Sequence, residues 1–324
     1  MPAVVRRATI ALLLAAVLAP AWGAPGDRLE SVSPGATPAL AADPDPDRHQ
    51  VLRIDRPLPG RGALHRARRY ARGRAGDVAF AAISTNGRLR CHRCRRHFPS
   101  ASVVKAMLLV ADLKRLARAG QPLRAADRGL LDPMIRESSN EAADAVYART
   151  GDGALLRVAR RAGMRSFAPA GYWSEAGLTA ADQARFFARI SELLPRRHRA
   201  YGRRLLHTVV AWQSWGVAQA ARSAGWRPYF KGGWRPSGGG SLVHQAARLE
   251  RGRRTLAIAV LTDGSPSHEY GTETIRGIAA RLLRPGSGSA AVRPRRAALA
   301  LVERRGALVL LGLGGARRVA GAAH

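Results

Sequence analysis

The order of elements predicts an α/β fold: one sheet carrying helices, with a separate all-helical lobe. Three observations carry that expectation. A strand pair joined by a tight turn stands over residues 77–98, about a hundred residues of helix-forming sequence follow, and three strands with a final helix occupy 228–283. Two strand groups that enclose a helical insertion are expected to share one sheet, and 324 residues are enough for one large core with appendages.

Taken in order, residues 1–23 read as an export signal, with Arg6 and Arg7 ahead of an apolar run over 8–18 and small residues Ala21 and Gly23 before the expected cleavage. That run is shorter than the roughly 20 residues of a membrane span. The chain is therefore expected to be secreted or periplasmic. Residues 24–50, rich in Pro, Ala and Asp, read as a flexible linker, and 51–284 as the folded domain.

Within the domain, 63–74 reads as a basic helix and 77–84 as a strand of alternating apolar and small residues. Asn86-Gly87 supplies the left-handed backbone of a two-residue turn, and 89–98 is the expected return strand. Helices are expected over 101–119, 140–150, 154–162, 180–194, 199–206 and 209–221, with glycine as punctuation. Strands are expected over 228–234, 241–249 and 254–262, the last two joined by a turn at Gly252, and a helix over 273–283. Beyond 285 a Gly/Ser stretch leads into an Arg- and Ala-rich tail, read as disordered or peripheral.

Charge is the unusual feature of the composition. Lys and Arg number 54 against 22 acidic residues, for a formal charge of +32. The arginines are scattered over many elements, with no single basic helix that gathers them and no aromatic-interleaved groove, so no nucleic acid is expected as a partner. An anionic wall polymer fits an exported basic chain better. Three of the basic residues are lysines, Lys105, Lys114 and Lys231, against 51 arginines. Arginine stays protonated in a protein whereas a buried lysine can lose its proton, so a lysine kept in this background marks a position that needs one. Lys114 reads as a helix-surface residue.

Cys91-His92-Arg93-Cys94 has metal-like and redox-like spacing, but no second ligand pair accompanies it. A local disulfide or two unpaired thiols is the expectation, with no metal and no organic cofactor.

Ser102 and Lys105 stand three residues apart at the start of a helix, which puts a hydroxyl and an amine on one face. Alone the spacing is common. Ser138-Ser139-Asn140 follows at another helix start, and Lys231-Gly232-Gly233 on a strand. Each has a plainer reading: Ser138-x-x-Glu141 is also a helix capping box, and Lys231 could be a strand-surface residue. In series, the three motifs resemble the class A β-lactamase and penicillin-binding serine hydrolase superfamily. Phe98-Pro99 ahead of Ser102 and Leu261-Thr262-Asp263-Gly264 after the last strand sharpen the resemblance.

That resemblance implies an α/β (α+β) sandwich of the β-lactamase/transpeptidase type, with a mainly antiparallel five-stranded sheet flanked by helices and an all-helical lobe. It implies Ser102 as acylated nucleophile, Lys105 as its base and Ser138 as the proton relay to the leaving nitrogen. Asn140 would hold Lys105 and the substrate amide. Lys231 would lower the affinity of Lys105 for its proton and attract a substrate carboxylate. Gly233 and Trp234 would line the substrate, with the N–H groups of Ser102 and Trp234 as the oxyanion hole. The substrate would be a β-lactam or a peptidoglycan stem peptide, and the enzyme a monomer.

Two departures qualify the resemblance. Gly232 stands where the family carries a hydroxyl. The deacylating glutamate has one candidate, Glu175 in Glu175-Ala176-Gly177-Leu178-Thr179, on a connection that is too short for the family's loop and reads more simply as a helix start. The leading expectation is β-lactam hydrolysis. The alternatives are a penicillin-binding D,D-peptidase or esterase-like enzyme with slow deacylation, and a non-catalytic wall-binding module.

Overall fold

The computed structural model describes residues 59–85 and 87–284. The expected export signal, the linker, the start of the domain at 51–58, Asn86 and the tail lie outside the described residues.

Helix α1 (Arg61–Arg72) buries Ala63, Ala67 and Ala71, one residue per turn. It leads into β1 (Asp77–Ser84) and β2 (Leu89–His92), joined at Gly87, whose φ of 72° is the left-handed conformation that the turn demands. The expected return strand over 89–98 is divided. A disulfide joins Cys91 to Cys94, Arg93 turns left-handed, and the chain resumes as β3 (His97–Pro99) in a different sheet. The disulfide therefore takes the sequence out of the first sheet and aims it at the helical lobe.

That lobe comprises α2 (Lys105–Arg118), α3 (Ala125–Arg136), α4 (Asn140–Ala162), α5 (Ala180–Leu193) and α6 (Arg199–His207). The helices expected over 140–150 and 154–162 form one element with a break at Gly151, where φ is 67° and ψ 176°. Short strand β4 (Gly177–Thr179) pairs with β3, and Phe98 opposite Leu178 closes that pair over the core. The helix expected over 209–221 is shorter. It begins as α7 (Gly216–Ser223), because Gly216 at φ 62° cannot sit inside a right-handed helix.

Strands β5 (Arg227–Ser237), β6 (Gly240–Arg251) and β7 (Arg254–Ser265) precede α8 (His268–Leu283), which begins five residues before the expected start because Ser267 caps it by accepting from Tyr270 N–H. The sheet order is β2-β1-β7-β6-β5, antiparallel throughout. Central strands are apolar on both faces. Ala79, Ala81 and Leu261 face the helical lobe, while Val78, Phe80 and Val260 face α1, α7 and α8. This is the five-stranded sheet with an all-helical lobe that the sequence predicts. Strand β5 is an edge, and its open side borders the lobe.

His244 pins that border. It is fully buried on β6, accepts from Thr262 N–H at Nδ1 (3.2 Å) and donates through Nε2 to Pro99 O (3.0 Å), which fixes a neutral tautomer beside the turn that carries Ser102. Burial pushes its pKa down to about 4 from 6.5. Between those values the unfolded chain binds a proton that the folded chain refuses. Stability is therefore complete above 6.5 and falls as pH drops toward 4. At about 1.4 kcal/mol per pH unit, the loss attributable to this residue approaches 3 kcal/mol. Urea unfolding at pH 7 and pH 4.5 should show this loss in the native chain and a clearly smaller one in His244→Gln. Equal losses in both would assign the acid sensitivity elsewhere.

Candidate active site

The turn that carries Ser102 differs from the expected helix start. Ala101 adopts a left-handed φ of 43°, residues Ala101–Val104 form a 3-10 turn, and the α-helix begins at Lys105. In a 3-10 turn, side chains three apart eclipse, so Ser102 and Lys105 are aligned more closely than in an α-helix. Ser100 is buried beneath the turn and donates its hydroxyl to Trp173 O at 2.7 Å. A left-handed alanine costs energy and persists where its surroundings over-determine it.

Strand β5 presses on this turn from the other side. An added Cβ at Gly233 would lie 2.7 Å from both Ser102 N and Val103 N. Only a glycine lets the strand approach so closely, and Trp234 follows it directly.

The two buried lysines meet at Ser138. Lys105 Nζ donates to Ser138 O (2.6 Å), Asn140 Oδ1 (2.7 Å) and Ser138 Oγ (3.3 Å). Lys231 Nζ, reaching from β5, donates to Ser138 Oγ (3.0 Å) and to Gly232 O (2.9 Å). The capping role belongs to the neighbour: Ser139 Oγ accepts from Ala142 N–H at 3.1 Å, while Ser138 stands outside the helix with φ 65°. Ser138 is thus released from capping and placed in the cleft. Burial lowers the Lys105 pKa to about 7, with Asp144 opposing the shift. Lys231 is also pushed well below the ordinary lysine range, first by its burial and then by the charge of Lys105. A lysine that is half neutral near pH 7 can accept a proton, and a serine whose lone pairs face two amines has its own proton free to donate.

The connection between α4 and α5 brings Trp173 and Glu175 to the site. The ring of Trp173 lies 4.6 Å from Lys105 Nζ, and its Nε1 donates to Asp144 Oδ1 at 2.7 Å. Glu175 points elsewhere: both of its oxygens accept from the Arg235 guanidinium, and Ser174 Oγ donates to it at 2.9 Å. The Arg235 hydrogen bonds hold its carboxyl below the usual range. Neither Trp173 nor Arg235 carries a motif that sequence reasoning could have singled out.

A family model for the beta-lactamase enzyme family matches residues 118–284, more than half of the chain. The chain belongs to the beta-lactamase enzyme family. Among solved structures, a β-lactamase from Sphaerobacter thermophilus aligns with TM-score 0.58 and 21% identity, over 68% of this chain and 95% of its own. A class A β-lactamase from Mycobacterium abscessus aligns at 0.58 and 20%, over 68% and 98%. The structure of PBP-A aligns at 0.59 and 16%, over 70% and 98%. Identities this low establish the shared fold. A search of curated proteins finds no match.

Against the family pattern, the glycine at 232 has a structural cause here. An added Cβ would meet the indole of Trp215 at 3.1 Å, so the ring fills the direction in which a hydroxyl-bearing side chain would project. Trp215, Trp234, His268 and the exposed Trp212 form a continuous aromatic group beside Lys231, with ring centroids 5.7–6.1 Å apart. The wall next to the lysine is aromatic instead of hydroxylic.

Two measurements check this geometry. In Gly233→Ala, the methyl must push β5 off the Ser102 turn, so acylation by a penicillin, followed by intact mass, should slow by about 100-fold or more, the scale of losing one oxyanion donor. A rate within threefold of native would show that the close approach is dispensable. The acylation rate of the native chain should rise with pH through about 7 and level off above it, as Lys105 loses its proton. A flat profile between pH 6 and 8.5 would remove Lys105 as the base.

Proposed function

We propose that the chain is an exported acyl-serine enzyme of the penicillin-binding kind, which takes an acyl group from a β-lactam or a peptidoglycan stem peptide and releases it slowly. In this reading Ser102 Oγ attacks the carbonyl carbon as Lys105 takes its proton. The N–H groups of Ser102 and Trp234 receive the developing oxyanion. The C–N bond then breaks, and Ser138, supported by Lys231, delivers a proton to the departing nitrogen, leaving an ester on Ser102. Asn140 holds Lys105, and Gly233 lets β5 lie close against the Ser102 turn, so that the Trp234 N–H follows directly beside it.

One observation favours slow over fast release. The side chain against Lys105 is the indole of Trp173, and the nearby Glu175 is occupied by Arg235. A carboxylate held by a guanidinium is a weak base and is poorly placed to activate water. The reading of β-lactam hydrolysis draws on the family match and on Lys105 itself, which with a pKa near 7 could activate the second water. Export is supported by Arg6, Arg7 and the apolar run that follows, and the Cys91–Cys94 disulfide suits an oxidising compartment. The chain is taken to act as a monomer.

The test mixes the purified protein with a chromogenic cephalosporin and follows intact mass and absorbance together. The expected result is one persistent adduct per chain, absent in Ser102→Ala, with turnover slower than acylation by at least about 100-fold. Steady turnover without accumulated adduct would support hydrolysis instead. No adduct and no turnover, with wall-polymer binding unchanged in Ser102→Ala, would leave the binding module as the surviving reading. Release of the adduct in Glu175→Gln should stay within about threefold of native, and a collapse of that rate would restore Glu175 to the mechanism.

A further inference from the structure

The third lysine also lies in a cavity. Lys114, expected on a helix surface, lines a space of about 300 Å³ between α2 and α4. Arg115 and Arg118 from α2, and Arg149, Arg157 and Arg161 from α4, complete a ring of six cations, and no acidic side chain lines it. Ala111, Ala154 and Val158 supply its apolar part. The α2 cations of the cavity lie nine to thirteen residues along the helix from Lys105, roughly 14–20 Å at 1.5 Å per residue, and the cavity shares no lining residue with the Ser102 site.

Two of the cations are held from below. Asp112, fully buried, accepts from Arg149 at 2.5 Å and from Arg115 at 2.9 Å, and Asp127 lies 3.4 Å from Arg149. These carboxylates orient the two guanidinium forks without entering the cavity. They leave Lys114, Arg118, Arg157 and Arg161 without an acidic partner among the described residues. Arg149 Nε is buried with no acceptor. Burial and the charges of Arg161 and Arg118 push the Lys114 pKa down, the mark of a cation crowded by its own kind.

We propose that this cavity binds a small multivalent anion of the phosphate class, carrying at least two charges as a diphosphate does. Guanidinium forks pair bidentately with phosphate oxygens, and pre-anchored forks lose little freedom on binding. Four unmatched cations call for more than a single negative charge. The volume, at the lower end of small-molecule sites, admits a phosphorylated head group and excludes a folded partner. The source of the phosphate is a soluble diphosphate or an anionic lipid head group.

Calorimetry with inorganic diphosphate at 0.15 M salt tests the site. A control matches the charge change elsewhere: Arg66→Gln/Arg69→Gln, on the separate basic face formed with α8. The expected result is saturable binding, weakened at least tenfold in Arg157→Gln/Arg161→Gln and within twofold of native in the control, with acylation of Ser102 unchanged in both. Equal weakening in the two variants would reduce the binding to bulk charge and overturn the proposal, as would an absence of saturable binding. Vesicles containing phosphatidic acid, whose phosphate monoester can carry two charges, distinguish the sources. Vesicle binding that diphosphate displaces assigns the site to a lipid head group, whereas diphosphate binding without vesicle binding assigns it to a soluble ligand.

Discussion

Two lysine amines converge on one serine hydroxyl, and much of the site follows from that meeting. Among the described residues neither amine has a carboxylate within hydrogen-bonding reach; their acceptors are Ser138, Asn140 and a peptide carbonyl. Two ammonium groups so placed in a dry interior oppose one another, so the pair favours a state with a proton missing. Desolvation supplies the basicity that the reaction needs, and it lasts only while water is kept out. The Trp173 ring, 4.6 Å from Lys105 Nζ, covers that amine.

Holding the lysines there requires the two halves of the molecule to be locked in register. Ser100 ties the nucleophile turn to the Trp173 carbonyl, His244 ties Pro99 to β6, and Gly233 lets β5 lie directly on the Ser102 backbone. Each contact is made within three residues of Ser102; the first ties the turn to the lobe, and the other two tie it to the sheet. The strain at Ala101 is sustained by this convergence.

The motifs made the fold legible in the sequence and picked out Lys105, Ser138, Asn140 and Lys231, whose side chains hydrogen bonds bring together, while Ser102 meets β5 through its backbone at Gly233; each motif joins chemistry to a local backbone form. What stayed hidden depends on contacts between distant segments. Trp173 lies 68 positions after Lys105, and nothing near it in the chain tells whether its ring faces the lysine or the core. The choice of Ser139 over Ser138 as the cap turns on a φ of 65°, which two adjacent serines do not reveal. Glu175 was visible as a candidate, but its partner Arg235 is 60 residues away and one among dozens of arginines. Of the two expectations for Cys91 and Cys94, the local disulfide is the one formed; that it turns the chain out of the first sheet is what the alternating pattern of 89–98 does not reveal. Lys114 was singled out by rarity alone, and its surroundings came only from the packing of α2 on α4.

The connection between α4 and α5 is stapled to itself. Ala168 and Gly177 exchange backbone hydrogen bonds at 2.9 and 2.7 Å, and Asp182 accepts from the N–H groups of Arg165 and Ser166. So short and closed a segment has one station facing Lys105, and Trp173 occupies it. A water and the carboxylate to activate it need more space than the exchange of one side chain would open. On the proposed reading, selection for faster release has little to gain from point substitutions here and must lengthen the backbone first, which makes loop size, more than the identity of any residue in it, the determinant of release.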